Sequence, residues 1–329
     1  MNGNWFGNAL RHGLVALALF GAANSTAVAS YTQVVFFGDS LSDTGNLYAA
    51  TGIPVSPPYY QGRFSNGPVW TEIFAGSLGL SATPSILGGT NFAWAGATVI
   101  DYGRPQPEIP QELGQYFLVS GGVADPGALY VILGGANDIN DALHNPATAA
   151  GNIVLAAQAV DGMVDALYAA GARNILVGNL PDIGRTPLAV AGGPAVVAGA
   201  TALTNLFNAT LAGLLAADDA SDANLDLDRL DLYTSFNNVL ANPALYGFDN
   251  VTDPCKLGPL GVPGPVCATP DTYLFWDAFH PSAHGHQLIA DVALTAVPEP
   301  AALALVVVAL MAMLSVTRSR SGERAASVA

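Results

Sequence analysis

Short apolar runs alternate with longer amphipathic stretches along most of this chain. Gln33–Phe37, Leu129–Leu133 and Asn174–Val177 are compact and mostly apolar, with a weaker run in Leu225–Leu232. Their length and β-branched or aromatic content predict strands. Apolar residues recur at helical spacing over Ala149–Ala170, Pro194–Ala217 and Ala283–Ala293. The junction Ala170-Gly171-Ala172-Arg173-Asn174 supplies a glycine stop between helix and strand. Short continuous apolar strands separated by long helices predict an α/β fold, with a parallel sheet covered on both faces. No internal repeat or linker divides the pattern, so one domain is expected. Tyr48–Pro110 fits neither period. Rich in glycine, proline and aromatics, it reads as a long irregular segment of the kind that often carries function.

The two ends depart from this pattern. Met1–Ser30 combines Arg11 and His12, the apolar stretch Gly13–Ala23 and a small-residue site at Ala27-Val28-Ala29. That is the layout of a secretory signal peptide over residues 1–30; the alternative is a buried N-terminal helix. At the other end, Val297-Pro298-Glu299-Pro300 precedes the apolar run Ala301–Val316 and then Arg318, Arg320 and Arg324. The run is a little short of the roughly 20 residues that span a bilayer comfortably, and the basic cluster behind it would stay cytoplasmic. Residues 297–329 resemble the PEP-CTERM sorting signal of Gram-negative bacteria. The resemblance implies transient membrane contact through a transmembrane segment at 301–316 and cleavage by an exosortase-like enzyme, in addition to signal peptidase at the N-terminus. The product would be exported across the inner membrane to the cell surface or beyond. A plain membrane anchor is the alternative. Residues 31–296 are left as the domain.

Charge narrows the partners. The chain has 10 basic and 25 acidic residues, a net charge of −15. Four of the basic and two of the acidic residues lie in the ends, so the domain holds 6 against 23, a net of −17, with Lys256 as its single lysine. A surface this acidic repels phosphate backbones and anionic membranes, which argues against nucleic acid. Cys255 and Cys267 bracket the Gly/Pro-rich loop Lys256–Val266. In an exported chain such a pair reads as a disulfide, with two free thiols as the alternative. Two thiols without a nearby histidine are too few ligands for a metal.

Candidate chemistry begins where the first strand stops. Val34-Val35-Phe36-Phe37 gives way at Gly38-Asp39-Ser40 to the polar segment Leu41-Ser42-Asp43-Thr44-Gly45-Asn46. A buried strand ending in a glycine turn presents the next side chain at the mouth of a sheet, where Ser40 can act as a nucleophile. A serine nucleophile needs a base oriented by a carboxylate, and donors aimed at a developing oxyanion. In Trp276-Asp277-Ala278-Phe279-His280-Pro281-Ser282, Asp277 stands three residues before His280. In a turn that spacing lets the carboxylate reach Nδ1 while Nε2 faces outward, and Pro281 suits a helix start. Gly96, within Thr90–Ala97, has no Cβ to keep its N–H from a substrate. Asn137 follows the strand Leu129–Leu133, so its uncharged amide lies at the same sheet edge as Ser40. Asp39 and Asp138 read as turn caps. His284 lies four residues after His280 with His286 nearby, but no acidic ligand is suitably placed for a metal. Tyr48, Tyr59, Tyr60, Phe64 and Trp70 either line a subsite or pack in loops and core. Trp94 is nearer the chemistry and is the candidate substrate contact.

Four blocks in order, Gly38–Asn46, Asn91–Ala97, Gly135-Ala136-Asn137-Asp138 and Asp277–Ser282, resemble the SGNH, or GDSL-type, esterases and lipases. The likeness runs from Val34 to about Ala293, with Ala95 where many members carry glycine. Gly62–Trp70 and Asn242–Cys255 look like the longer secreted subgroup. The resemblance implies a flavodoxin-like three-layer α/β/α fold with a mostly parallel five-stranded sheet. It implies Ser40 as nucleophile, His280 as base, Asp277 as its orienter, and Ser40, Gly96 and Asn137 as the oxyanion hole, with no cofactor and no metal. The expected function is hydrolysis of carboxylic esters through an acyl-enzyme on Ser40, the substrate being a lipid, a short acyl ester or an acetylated glycan. The alternatives are a polysaccharide O-acetyl esterase and a non-catalytic matrix- or surface-binding protein that keeps the fold.

Overall fold

Val34–Gly38 (β1), Leu129–Leu133 (β2), Asn174–Gly178 (β3) and Asp226–Leu230 (β4) run parallel, side by side in that order. Val34 stands opposite Leu129, Leu129 opposite Asn174 and Asn174 opposite Asp226, so the strands start level and end on one carboxyl edge. The computed structural model describes residues 31–297. The signal peptide read over 1–30 lies outside the described residues, as does all but Val297 of the stretch 297–329 read as a sorting signal, with the apolar run 301–316. β1 and β2 are buried at every position, as unbroken apolar runs require. The outer strand β4 buries only Leu230, which explains its weak apolar signal. It also stops earlier than Leu232, because the Asp231 carboxylate accepts the Thr234 N–H at 3.0 Å and starts a helix there.

Helices cover both faces. In chain order they are α1 (Asn46–Thr51), α2 (Trp70–Ser77), α3 (Ile109–Ser120), α4 (Ala136–Ala142), α5 (Ala149–Ala170), α6 (Pro187–Ala191), α7 (Pro194–Ser221), α8 (Leu232–Ala241) and α9 (Ala283–Ala296). On one face Val35, Phe37, Tyr130, Ile132, Ile175 and Val177 pack against Ile109 and Leu113 of α3, Ile153 and Val160 of α5, and Phe207 and Leu211 of α7. On the other, the Phe36 ring meets Trp70 and Phe74 of α2 edge-on, at 5.9 and 6.4 Å. Alternation along a strand sends successive side chains to opposite layers, and the result is a flavodoxin-like α/β/α sandwich.

The sheet has four regular strands among the described residues, where five are expected. The fifth position is held by the segment Thr90–Trp94, which runs parallel to β1. The N–H of Phe36 donates to the Thr90 carbonyl at 3.1 Å, that of Phe92 to the Phe36 carbonyl at 2.8 Å, and that of Trp94 to the Gly38 carbonyl at 3.0 Å. Asn91 keeps it from regular extension, because its side-chain oxygen accepts the Ala93 N–H at 3.0 Å, a local bond that competes with the ladder. A second small sheet pairs Asn250–Pro254 (β5) with Tyr273–Phe275 (β6), in parallel. Tyr48–Pro110 is not wholly irregular, since α2 and the start of α3 lie within it.

Buried carboxyl groups brace the loops at the carboxyl edge. Glu112, reaching from α3, accepts the Gly38 N–H at 2.8 Å on one oxygen and the Trp94 N–H at 3.0 Å on the other. It thus joins the end of β1 to the neighbouring segment where the ladder runs out. Asp43 accepts four N–H groups, from Gly45, Asn46, Leu47 and Ala95. Asp138 accepts those of Val99 and Ile100. Burial pushes Asp39 and Asp138 up to about 6, against the backbone donors that pull them down. It pushes Glu112 well above the usual carboxylate range and raises Asp43 as well.

Two stability outcomes follow from these groups. Glu112→Ala strands the buried Gly38 N–H and leaves the Trp94 N–H only its Gly38 carbonyl partner, so it should cost about 2 kcal/mol in denaturant unfolding. Glu112→Gln keeps one acceptor and should fall between that variant and wild type. The raised groups bind protons in the folded state at pH values where the unfolded chain, near 3.8 for aspartate, has released them. Buried His286, pushed down to about 3, opposes them below 6.5, but the four raised carboxyls outnumber it. Stability should therefore rise as pH falls from above 6 toward 4, so the Tm at pH 5 should exceed that at pH 7.5. Below about pH 4 the trend should reverse as groups held low, such as Asp125 beside the Thr32 hydroxyl, take up protons.

Candidate active site

Ser40 sits in a tight turn at the end of β1. The Asp39 carbonyl accepts the N–H groups of Ser42 and Asp43 at 3.0 and 2.9 Å, and the Asp39 carboxylate accepts that of Leu41 at 3.0 Å. Gly38 makes the turn possible, because a Cβ there would stand 2.3 Å from the Leu133 carbonyl oxygen. Across the site, Asp277 and His280 occupy the turn between β6 and α9. One Asp277 oxygen accepts the backbone N–H of Phe279 at 2.9 Å and of His280 at 2.8 Å. This aspartate turn folds the imidazole back over its own carboxylate. His280 Nδ1 then lies 2.8 and 2.9 Å from the two Asp277 oxygens, and Nε2 lies 2.8 Å from Ser40 Oγ. With Nδ1–H donated to Asp277, Nε2 is free to accept the serine proton.

The three side chains are buried, Asp277 completely. Burial alone would raise the Asp277 carboxyl, but the charge of His280 and the hydrogen bonds from His280 and Phe279 outweigh it and hold the group below its ordinary value. It stays ionised, as an orienting carboxylate must. The Phe64 ring packs 4.8 Å from the imidazole on one side and Phe279 lies 5.6 Å away, edge-on. The Ser65 hydroxyl donates to the Pro281 carbonyl at 3.1 Å, and Asn66 accepts the Ala283 N–H at 2.7 Å. Part of the unassigned stretch Tyr48–Pro110 is thus the clamp that holds the histidine turn.

The oxyanion candidates lie on adjoining loops. Among the described residues neither the Ser40 N–H nor the Gly96 N–H has an acceptor. Gly96 adopts φ +89°, strained for any other residue. Asn137, in the first turn of α4, donates one amide hydrogen to the Ala97 carbonyl at 2.9 Å, which leaves the other for a ligand. Arg104 fixes the same loop, donating to the Gly96 carbonyl at 3.1 Å and pairing through two nitrogens with Asp141, each at 2.7 Å. Ala95 is buried among Leu47, Tyr59, Phe64 and Trp276, and its N–H is held by Asp43 at 2.8 Å. The loop is therefore braced despite lacking the second glycine.

A cavity of about 340 Å³ opens beside Ser40 and Leu41 and runs between α8 and α9. Phe236, Val239, Phe275, Leu288 and Val292 form much of its wall, while Asn238, Asp291 and Thr295 stand exposed at its border. Trp94 does not line it; it packs against the core around Val35 and Phe37 and against the cluster of Tyr59, Phe64 and Trp276.

The histidines separate. His284 faces the Asp271 carbonyl at 2.9 Å and lies tilted against the Phe248 ring, 4.5 Å between centres. His286 is buried, accepts the Trp70 N–H on Nδ1 at 3.2 Å, and is pushed down to about 3 by burial, then by His280. No cluster of three metal-ligating side chains occurs among the described residues. Cys255 and Cys267 are bonded, with sulfurs 2.01 Å apart. Sequence reasoning missed Glu112 and Arg104 as braces, and left Tyr59 undecided between subsite and packing. Tyr59 is buried and donates to Asp277 at 2.8 Å.

The chain is similar to known proteins along most of its length. Residues 34–293 match the family described as GDSL-like Lipase/Acylhydrolase. An uncharacterised protein from the trpE–trpG intergenic region of Pseudomonas putida is 34% identical over 90% of this chain and 53% of its own length. Lipase 1 of Photorhabdus luminescens is 27% identical over 88% of this chain and 53% of its own. The phosphatidylcholine-sterol acyltransferase of Aeromonas hydrophila is 32% identical over 75% and 71%. The chain spans about half the length of the first two. By the match along nearly all of its described residues, the chain belongs to the GDSL-like lipase/acylhydrolase family.

Proposed function

We propose that this protein hydrolyses carboxylic esters that carry an aliphatic acyl chain. The observation that carries the reading is the continuous contact from Ser40 Oγ through His280 to ionised Asp277, at 2.8 Å on each side of the imidazole. Ser40 Oγ attacks the ester carbonyl as His280 Nε2 takes its proton, and the carbonyl becomes an oxyanion within reach of the Ser40 and Gly96 N–H groups and the Asn137 amide. Collapse of this intermediate expels the alcohol, which receives the proton from His280 and leaves an acyl-enzyme. Water, deprotonated by the same imidazole, then releases the acid and restores Ser40.

The cavity favours an acyl chain over an acetyl group. Its walls are mostly hydrocarbon, so a sugar pressed into it would lose water from its hydroxyls without compensation, whereas each methylene gains about 0.8 kcal/mol. The names of two relatives, a lipase and a phosphatidylcholine-sterol acyltransferase, agree with a lipid-like acyl donor. The Cys255–Cys267 bond fits an oxidising compartment and so supports an exported protein.

On an ester series of rising acyl length, kcat/KM should climb about fourfold per methylene until the cavity is filled. Leu288→Trp, which narrows the cavity, should shift the optimum to shorter chains; a series that peaks at acetate would favour the polysaccharide O-acetyl esterase instead. Asn137→Ala should lower kcat by about 10²–10³. Ser40→Ala should abolish turnover with folding intact. A fluorophosphonate probe should label wild type at Ser40, and failure to label would favour a non-catalytic binding protein.

A further inference from the structure

Behind the catalytic carboxylate lies a second buried polar chain. The Tyr59 hydroxyl donates to Asp277 Oδ2 at 2.8 Å, on the oxygen that receives no backbone N–H. The same hydroxyl accepts the Gly261 N–H at 2.9 Å and faces Lys256 Nζ at 3.4 Å. A phenolic oxygen has one proton and two lone pairs. With both acceptor sites facing N–H donors, the proton has one partner left, and that partner is Asp277. Burial, and next the charge of Asp277, push the tyrosine well above its ordinary value, so it remains a donor. Lys256 is buried, held by the Pro259 carbonyl, and lies over the Tyr59 ring with Nζ 5.2 Å from its centre.

The loop that carries these donors is anchored to the strand leading into Asp277. The N–H groups of Cys255 and Lys256 donate to the carbonyls of Phe275 and Trp276 at 3.1 and 2.6 Å. The Cys255–Cys267 bond and the Cys267 N–H, which donates to the Cys255 carbonyl at 2.9 Å, close the loop on itself. We infer that Tyr59 is a positioning residue for Asp277, and that Lys256 and the disulfide-closed loop 255–267 fix the direction of its hydroxyl. The inference rests on Ser40, His280 and Asp277 working as one unit. Tyr59 holds the carboxylate plane toward His280 and draws off part of its negative charge, as the lysine amine does from farther away. Asp39 and His286 also face the imidazole electrostatically and are left untouched by changes at either position.

The test compares Tyr59→Phe and Lys256→Met with wild type in the full chain. Removing the hydroxyl proton leaves Asp277 a stronger acceptor, so the NMR resonance of the His280 Nδ1 proton should move downfield in Tyr59→Phe, with a smaller move in the same direction for Lys256→Met. This measurement needs no substrate, so it stands whether or not ester hydrolysis is the activity. With an ester that wild type cleaves, kcat should fall about tenfold in Tyr59→Phe with KM little changed. The acidic limb of the kcat/KM profile should move to higher pH in both variants, because a more negative carboxylate favours the protonated imidazole. A folded variant of either kind with the resonance and the acidic limb at their wild-type positions overturns the proposal. So does a loss of activity that only follows the loss of folded protein.

Discussion

A fully buried carboxylate is the constraint on which this site depends. Asp277 has no access to water, and a buried charge is tolerated only where hydrogen-bond donors or an opposite charge offset its lost hydration. Two backbone N–H groups, the imidazole and the Tyr59 hydroxyl surround it here. The backbone donors come from the same turn, so ionising Asp277 and folding the His280 ring against it are one event. Without that charge Nδ1 would lose its acceptor and Nε2 its fixed direction toward Ser40.

The sheet performs the long-range part. Parallel strands that start level end level, and the loops after β1 and β2 therefore emerge side by side. The ladder stops at Gly38, and beyond it carboxyl side chains accept many of the backbone N–H groups, while the amides of Asn46 and Asn91 and the guanidinium of Arg104 donate to carbonyls. Glu112, Asp43 and Asp138 together accept eight N–H groups from the loops carrying Ser40, Trp94, Gly96 and the residues that follow. Loops braced in this way keep backbone donors such as the Gly96 N–H at fixed positions with no ladder partner, which is what stabilising a transient oxyanion requires.

The inner strands were legible because burial on both faces writes itself as unbroken apolar runs, and the long helices because their apolar residues recur at helical spacing. β2 spans the expected residues, and α5 does likewise, ended by Gly171 in a left-handed turn. The Asp277–His280 geometry was legible because a three-residue spacing is local. Tyr59, Glu112 and Arg104 were not, since each reaches its partner across 218, 74 and 37 positions and no short pattern records such a contact. The fifth strand position was obscured by Asn91, whose side chain bonds its own backbone. The pairing of β5 with β6 was hidden for another reason: Asn250-Val251-Thr252-Asp253-Pro254 is mostly polar and partly exposed, so it lacks the apolar run that marks a strand.

The cavity beside Ser40 carries a cost that bears on its role. Phe236 meets Phe275 edge-on at 6.1 Å and Val239 and Leu288 pack with them, but the hydrocarbon that faces the cavity has no partner there and forfeits dispersion contacts. Elsewhere the sandwich packs tightly, with Phe36, Trp70 and Phe74 in edge contact and Val35, Phe37, Tyr130 and Ile132 fully covered. A gap of this kind beside Ser40 is what the proposed acyl chain would fill during turnover. Under the proposed function such a chain would supply contacts to α8 and α9 across the gap and would place its binding energy next to Ser40.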